Sequence, residues 1–211
     1  MKKYAYLCLL ALSLNSTYAA TPLDTSISQL QHGWAAAEYQ TPEKDREAAF
    51  KKLATEAHQV SLGNPGRAEP LIWEGIITST LAKYQVFFKA GGTAKDARDL
   101  LLSAEKIDPI SLDGSALTSL GSLYYKVPSF GSFGDHKKAR EYLERALKVN
   151  PNGIDQNYFY ADFLLGEGEY AKSLEYFKKA LNAPARPGRE DADTGRHADI
   201  QEGIKKAEKK L

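Results

Sequence analysis

The sequence predicts an all-α fold, a solenoid of helical hairpins that ends in a C-terminal capping helix, and three observations lead to it. Apolar residues recur at spacings of three and four along the chain, which is the period of an amphipathic helix. Alternation of apolar and polar residues, the sign of a half-buried strand, is missing from the sequence. Units of similar pattern end at Pro65, Pro109 and Pro151, steps of 44 and 42 residues, as in a repeat protein.

Residues 1–19 have the pattern of a signal peptide. Two lysines precede an apolar run over residues 4–14, and small residues follow up to Ala19, where we expect cleavage. The run is too short to span a bilayer. Cys8 lies within the run and lacks the small residues that precede a lipidated cysteine. The sequence therefore predicts an exported, periplasmic protein with no transmembrane span in the mature chain.

The charge of the mature chain argues against nucleic acid as a partner. Removal of residues 1–19 takes away two of the 28 basic residues, so that 26 remain against 27 acidic ones and the net charge is −1. Binding to a phosphate backbone requires a concentrated basic face, which a chain of balanced charge does not supply.

No pattern in the sequence predicts catalysis, a cofactor or a metal site. The one cysteine lies in the predicted signal peptide. Four histidines are far apart and have no second ligand at helical spacing: His32, His58, His136 and His197. A nucleophile elbow, a Gly-rich phosphate loop and an H-E-x-x-H motif are all missing. We therefore predict a protein that is not an enzyme and holds no cofactor.

The clearest repeat unit is the stretch DQNYFYADFLLGEGEYAKSLEYFKKALNAP, which begins at residue 155. Its small, aromatic and proline residues fall at the spacing of a tetratricopeptide (TPR) repeat: Ala161, Gly168, Tyr170, Ser173, Phe177, Ala180 and Pro184. Small residues allow two antiparallel helices to cross closely, and the proline stops the second helix. Weaker versions of this pattern precede it.

The repeats divide a predicted single domain, residues 20–211, into five parts. They are a degenerate repeat over residues 23–65, a repeat over 66–109, a repeat with an inserted loop over 110–151, a repeat over 152–185 and a capping segment over 186–211. A polar terminal helix fits this arrangement, because solenoids need a cap at an exposed end.

Two units exceed the TPR period of about 34 residues. In the second unit, the excess LAKYQVFFKAGGT (residues 81–93) is expected to extend the first helix. In the third, the stretch LYYKVPSFGSFGD (residues 123–135) is predicted to form a loop at a hairpin tip. We expect Phe130 and Phe133 to fold back on the protein, because each would otherwise forgo about 1.5–3 kcal/mol of burial free energy. A protruding loop that contacts a partner is the alternative.

The run SLGSLYYKVPSFGSFGDHKKARE, followed by NPNGIDQNYFYADFLL and later by ARPGREDADTGR, resembles the TatT-type family of exported TPR proteins, which are associated with TRAP-type transporters. The resemblance spans residues 65–196. It implies a helical scaffold in the periplasm that docks a solute-binding protein, and in some members a hydrophobic channel through the helical body. Lipid-anchored members carry a lipobox cysteine, which this sequence lacks.

The first helix of each hairpin lines the concave face of a TPR solenoid. Residues placed to point inward form the predicted partner-binding groove: Glu74, Thr78, Thr118, Ser122, Tyr125, Tyr158 and Asp162. This mixture of polar and aromatic side chains suits a peptide or a protein surface. For any single tyrosine, packing against a neighbouring helix is the favoured interpretation.

Three arginines of the capping segment form a second candidate site, because guanidinium groups bind carboxylates and phosphates bidentately. They are Arg186, Arg189 and Arg196. Three acidic residues stand among them: Glu190, Asp191 and Asp193. We therefore expect local ion pairs here, with contacts to an anionic ligand as the alternative.

These observations favour a non-enzymatic periplasmic TPR adaptor that binds another exported protein, with the solute-binding component of a TRAP-type transporter as the candidate partner. The second hypothesis is a carrier that holds a small hydrophobic ligand within the helical body. The oligomeric state stays open at this point.

Overall fold

The computed structural model describes residues 20–211, so the predicted signal peptide with Cys8 lies outside the described residues. This part of the chain consists of helices and turns and contains no strand. The helices are α1 (Pro22–Ala35), α2 (Glu43–Gly63), α3 (Ala68–Tyr84), α4 (Phe87–Ile107), α5 (Ser111–Lys126), α6 (His136–Val149), α7 (Ile154–Gly166), α8 (Tyr170–Leu181) and α9 (Glu190–Glu208), and a π-helical turn (Ala36–Gln40) continues α1. The predicted all-α class is confirmed.

Capping side chains fix two of the helix starts. At α1 a capping box joins Thr21 and Asp24: the Thr21 hydroxyl accepts from the Asp24 backbone N–H at 3.1 Å, and the Asp24 carboxylate accepts from the Thr21 N–H at 2.9 Å. Before α6, the Asp135 carboxylate accepts from the backbone N–H of Lys138 at 3.0 Å. The inserted loop therefore ends at a well-defined helix start.

The helices pair as successive antiparallel hairpins, α1 with α2, α3 with α4, α5 with α6 and α7 with α8, and α9 packs on α8. One contact recurs at three of the crossings: a Cβ on a glycine of the first helix would lie only 2.5–2.7 Å from a leucine carbon of the second. The pairs are Gly33–Leu53, Gly75–Leu101 and Gly121–Leu143. The weakly patterned first unit is thus a hairpin built like the others.

The excess of the second unit lies in the second helix, so the prediction that it extends the first helix is wrong. Helix α3 ends at Tyr84, and α4 begins at Phe87, ten residues before the buried Ala97. In the next hairpin, α6 begins only three residues before the equivalent Ala139. The seven additional residues lengthen α4 by about 10 Å at 1.5 Å per residue. Gln85 and Val86 are extended, because α3 stops there and the chain must reverse.

A left-handed turn opens α5. Leu112, Asp113 and Gly114 have φ of 47°, 56° and 72°, a region that costs a side chain with a Cβ about 1–2 kcal/mol per residue. Gln156 on α7 holds the turn by donating from Nε2 to the Asp113 carbonyl at 2.7 Å. The turn places the Leu112 side chain between two apolar clusters of the core.

The last helix contacts the first. His32 Nδ1 on α1 lies 2.9 Å from Asp191 Oδ2 on α9, and the hydroxyl of Tyr39 donates to Asp199 at 2.8 Å. Gly195 permits this approach, because its missing Cβ would overlap the Tyr39 ring. The first helices of the hairpins, α1, α3, α5 and α7, contact one another in order, and α9 contacts both α7 and α1. These five helices therefore form a closed ring, in which α9 caps the solenoid and joins its two ends.

Candidate functional site

The seven predicted groove residues lie on α3, α5 and α7, but two of them have little free surface. Glu74 is 7% exposed and faces α2, where its Oε1 lies 2.7 Å from His58 Nδ1. Thr118 is 3% exposed and donates its hydroxyl to the Gly114 carbonyl. Glu74 thus joins α3 to α2, and Thr118 is bonded to the backbone of its own helix. Thr78 and Ser122 are partly buried.

Tyr125, Tyr158 and Asp162 are half-buried and have specific neighbours. Tyr125 packs edge-on against Phe163, with ring centroids 5.4 Å apart, and burial raises the pKa of its hydroxyl. The Asp162 carboxylate lies 2.6 Å from Lys126 Nζ, which joins α7 to α5. Helix packing is thus a demonstrated role of Tyr125, as expected for a single tyrosine, and Tyr158 belongs to a separate cluster.

That cluster, here called the inner cluster, comprises Asp155, Tyr158, Arg186, Arg189 and Arg196 together with Trp34 and Trp73. Asp155 at the start of α7 is its centre: its carboxylate accepts from Arg196 Nε at 2.8 Å and from Arg186 Nη1. Arg186 also binds Asp193, and Arg196 also binds Asp199. Arg186 and Arg196 therefore pair within the chain, and their shared partner is Asp155, which stands 31 and 41 residues away from them. Arg189 forms no ion pair within the described residues, and its buried Nε has no hydrogen-bond partner.

Aromatic rings of three helices surround these charges. The Arg196 guanidinium lies 4.3 Å from the Tyr158 ring centroid, and the Arg189 guanidinium lies 5.1 Å from that of Trp73 on α3. Trp34 on α1 completes the set, 6.0 Å from Arg196. Side chains of α1, α3, α7 and α9 thus meet inside the ring, which leaves the arginines engaged with the protein itself.

The inner cluster perturbs the ionisation of its members. Partial burial alone would raise the pKa of Asp155, but the charges of Arg196 and Arg186 outweigh it and hold that pKa well below its ordinary value. Burial raises the pKa of Tyr158 to about 12 in spite of the opposing charge of Arg196. The cluster is therefore an ionised network at neutral pH.

A cleft of about 210 Å³ opens where α1, α3 and α5 meet. We call it the helix cleft, and its lining residues are Leu23, Asp24, Ile27, Ser28, Gln31, Glu69 and Leu112. Its floor is apolar and includes the side chain that the left-handed turn positions. Asp24 and Glu69 also line it; the Glu69 carboxylate accepts from Arg67 Nη2 at 2.6 Å, and the Asp24 carboxylate accepts from the Thr21 N–H. A larger cleft of about 490 Å³ lies elsewhere, between the α6–α7 turn and the C-terminal end of α8.

The two phenylalanines of the inserted loop have opposite environments. Phe133 packs edge-on against Tyr124 at 5.7 Å between centroids, and the Arg98 guanidinium lies 4.6 Å from its ring. Phe130 is 98% exposed, so the expected burial is wrong for this residue. The reason is that Phe133 already fills the space between α4 and α5, and Gly131, with φ of 74°, directs the chain outward.

Phe87 and Phe88 form a second exposed aromatic site that the sequence analysis placed inside a helix. They begin α4 and are 86% and 80% exposed. A signal was present in the sequence: adjacent residues on a helix point about 100° apart, so Phe87 and Phe88 together do not fit one narrow buried stripe. Asp155, by contrast, gave no local signal, because its partners lie in a distant segment.

Two further properties concern the described part of the chain. Every helix within residues 20–211 is too short or too polar to cross a bilayer. Over the same residues, no three His, Cys, Asp or Glu side chains are grouped so that they could share a metal ion.

Comparison with known proteins agrees with a solenoid of helical hairpins. A tetratricopeptide-repeat family model matches residues 130–152, which include part of the inserted loop and all of α6. TTC0263, a thermophilic TPR protein of Thermus thermophilus, has a similar structure, with a TM-score of 0.55, 17% identity, and coverage of 85% of this chain and 90% of that one. MamA of AMB-1 aligns with a TM-score of 0.47 at 18% identity over 89% of this chain and 95% of that one. No curated protein sequence matches the chain.

These findings define the chain first as an α-solenoid of helical hairpins. More particularly, it is a protein of TPR fold, closed into a ring by its terminal helix.

Proposed function

We propose that this chain is a non-enzymatic adaptor that binds another exported protein through the helix cleft. Proteins of this fold present the first helices of their hairpins to partners. The helix cleft lies on α1, α3 and α5, which are first helices of three successive hairpins. The signal-peptide pattern of residues 1–19 supports the periplasm as the compartment.

The observation that carries this proposal is the chemistry of the helix cleft. Leu23, Ile27 and Leu112 offer an apolar floor. Asp24 and Glu69 add carboxylates beside it, of which Glu69 is paired with the exposed Arg67 and Asp24 caps α1. A volume of about 210 Å³ holds one or two side chains, which suits an anchor residue of a protein or peptide. Such a partner segment would place an apolar side chain in the cleft and a lysine or arginine against its wall.

Backbone strain beside the helix cleft also supports a binding role for it. Leu112 and Asp113 have left-handed conformations that residues with a Cβ rarely adopt, and the surrounding structure maintains them. Strain of this kind is concentrated at ligand-binding positions. Here its effect is to present the Leu112 side chain at the junction of three helices.

The candidate partner is the solute-binding component of a TRAP-type transporter, on the strength of the family resemblance of residues 65–196. A carrier of a small hydrophobic ligand is the alternative function. The packing of the inner cluster favours the adaptor, because charged and aromatic side chains from four helices occupy the space inside the ring.

Site-specific photo-crosslinking in cells tests the proposal. A photoreactive residue in place of Ser28 lies in the helix cleft, and one in place of Lys52 lies on the outer face of α2 as the matched control. We expect position 28, and not position 52, to capture an exported protein, identified by mass spectrometry as a solute-binding protein. Equal capture from both positions, or capture from neither in well-exported protein, would reject the adaptor.

A charge-reversal variant tests whether the partner contacts the helix cleft and not another part of the surface. Glu69→Lys should lower capture at position 28 at least about fivefold, because it places like charge against the basic group of the partner. Glu56→Lys on the exposed face of α2 is the control and should leave capture unchanged. Unaltered capture by the Glu69→Lys variant would show that the cleft is not the contact.

A further inference from the structure

The side chains of three phenylalanines are exposed to solvent at one edge of the molecule. In a solenoid, the turns that join first to second helices all lie at the same edge, because the helices alternate in direction. We call this the tip edge: it contains the α3–α4 turn with Phe87 and Phe88, and the α5–α6 loop with Phe130. Their exposures of 86%, 80% and 98% are the highest of any large apolar side chains in the described residues.

The tip edge is built to keep these side chains outside. Val127 and Phe133 anchor the loop to the core, while Gly131 turns the chain so that Phe130 projects. The seven additional residues at the start of α4 carry Phe87 and Phe88 beyond the neighbouring helix starts. The inserted loop and the extension of α4 thus each place aromatic rings at the same edge.

Positive charge accompanies the rings. Residues 83–89 and 126–138, which form these two tips, contain five lysines and one aspartate, a net charge of +4. The other residues of 20–211 contain 21 basic and 26 acidic side chains, a net charge of −5. Lys83 pairs with Glu38 and Lys126 with Asp162, whereas Lys89, Lys137 and Lys138 form no ion pair within the described residues.

Several carboxylates of the adjoining tips are already engaged, whereas Glu43 and Asp45 at the start of α2 are exposed and form no ion pair within the described residues. Glu38 binds Lys83, Glu167 lies 2.7 Å from His136 Nδ1, and Glu169 binds Arg140 and Lys172. The free positive charge of the tip edge therefore lies beside the exposed rings.

We propose that the tip edge docks on the surface of a membrane that contains anionic phospholipid. Aromatic side chains insert into the boundary between headgroups and acyl chains, and lysines beside them bind the headgroups while their stems stay in apolar surroundings. The negative remainder of the molecule is repelled by the same surface, which orients the protein with its tips toward the lipid. This proposal is independent of the helix cleft and of any protein partner.

The arrangement favours a lipid surface over a protein partner. The anchor residues of protein interfaces gather in packed, shape-complementary patches. Phe87 and Phe88 instead project together beside the exposed Val86 at the start of α4, and Phe130 projects from a separate loop, so the rings stand on two separate projections. A fluid bilayer surface accommodates separate projections without a complementary shape.

Vesicle co-sedimentation of the full exported protein tests the proposal. The probes are phosphatidylcholine vesicles with about a quarter phosphatidylglycerol, and vesicles of phosphatidylcholine alone. We expect binding to the first, at least about tenfold weaker binding to the second, and a fall in binding as salt is raised. Failure to bind the anionic vesicles would overturn the proposal.

Matched variants locate the contact. Phe87→Ser, Phe88→Ser and Phe130→Ser combined should lower the vesicle partition coefficient at least about tenfold. The control is a triple serine variant of exposed apolar residues at the opposite edge: Leu62, Ile107 and Ile110. Equal loss in both variants would overturn the proposal, because the effect would then follow general hydrophobicity.

Charge variants test independently whether the lysines of the tip edge bind the headgroups. Lys89→Glu with Lys137→Glu should weaken binding to anionic vesicles at least about tenfold, and Lys205→Glu with Lys209→Glu on α9 and its end should not. Melting temperatures should stay within about 2 °C of the native protein, since the altered side chains are exposed. If the phenylalanine variant instead loses a captured protein and keeps its vesicle binding, the tip edge is a protein interface and the proposal fails.

Discussion

Arg196 on α9 donates from Nε to the Asp155 carboxylate on α7 at 2.8 Å, across 41 residues of sequence. Asp155 also binds Arg186, so one carboxylate joins two arginines of the terminal segment to the body of the solenoid. Arg196 is nearly fully buried, and a buried charge without a partner is strongly destabilising. The position of α9, and with it the closure of the ring, depends on this pair.

Asp155→Asn should destabilise the protein by about 3 kcal/mol at neutral pH, because it leaves Arg196 buried with a weaker set of partners. Denaturant unfolding followed by circular dichroism measures the change. Asp162→Asn, which breaks the more exposed pair with Lys126, should cost less than about 1 kcal/mol. Equal effects of the two substitutions would contradict a special role for Asp155.

The pH dependence of this effect has a definite sign. The pKa of Asp155 is lower in the folded protein than its unfolded value of about 3.9. Its contribution is therefore fully present above that value and is lost as the pH falls through the folded pKa. The stability difference between native protein and Asp155→Asn should be constant from neutral pH to about pH 5 and shrink below about pH 4. A difference that grows in acid would refute this account.

Gly195→Ala should loosen the contact between α9 and α1, since the added methyl group would overlap the Tyr39 ring, which its hydrogen bond to Asp199 holds in place. We expect a loss of about 1–3 kcal/mol in the free energy of unfolding. Gly91→Ala on α4 has open space around its Cβ and should instead add about 0.5–1 kcal/mol. Thermal melts of both variants decide the matter, and a stabilised Gly195→Ala protein would disprove the packing argument.

The inserted loop should show a sharp contrast between its two phenylalanines. Phe133→Ala removes a ring packed on Tyr124 and Arg98 and should cost about 1–2 kcal/mol. Phe130→Ala alters a side chain in water and should change stability by less than about 0.5 kcal/mol. Urea midpoints of the two variants provide the comparison. Equal midpoints would mean that Phe133 does not anchor the loop.

Asp113 tests whether the left-handed turn stores strain. Its side chain is exposed, so substitutions there act mainly through the backbone. Asp113→Gly should be neutral or stabilising by up to about 1 kcal/mol, and Asp113→Val should destabilise by about 1–2 kcal/mol, because a β-branched residue fits φ of 56° poorly. Two variants of equal stability would show that the turn is unstrained.

The helical architecture could be predicted because its causes are local. Gly121 stands where Leu143 of the facing helix approaches, and Ala104, Ala146 and Ala180 are buried at matching places in three second helices. These contacts join residues within one hairpin, so their spacing along the chain is fixed by helix period and turn length. The period of small and large residues along the sequence therefore predicts the helical hairpins.

The candidate sites were only partly predictable. The sequence predicted local ion pairs for Arg186, Arg189 and Arg196, of which Arg186 with Asp193 is found, and it predicted a loop at a hairpin tip. The identity of Asp155 as the shared partner of Arg186 and Arg196 and the pairing of Glu74 with His58 on the preceding hairpin were not foreseen. Phe130 was predicted to be buried, whereas it is 98% exposed.

What the sequence by itself determined is the helical class and the hairpin as its unit, since both follow from the period of apolar residues and from turn chemistry. Only the tertiary structure decided that α9 meets α1, that Leu112 reaches the helix cleft and that Phe87, Phe88 and Phe130 stand at one edge. The physical reason is geometric. Small rotations between successive hairpins add up along a solenoid, so contacts between distant units depend on their sum, which no local stretch of sequence specifies.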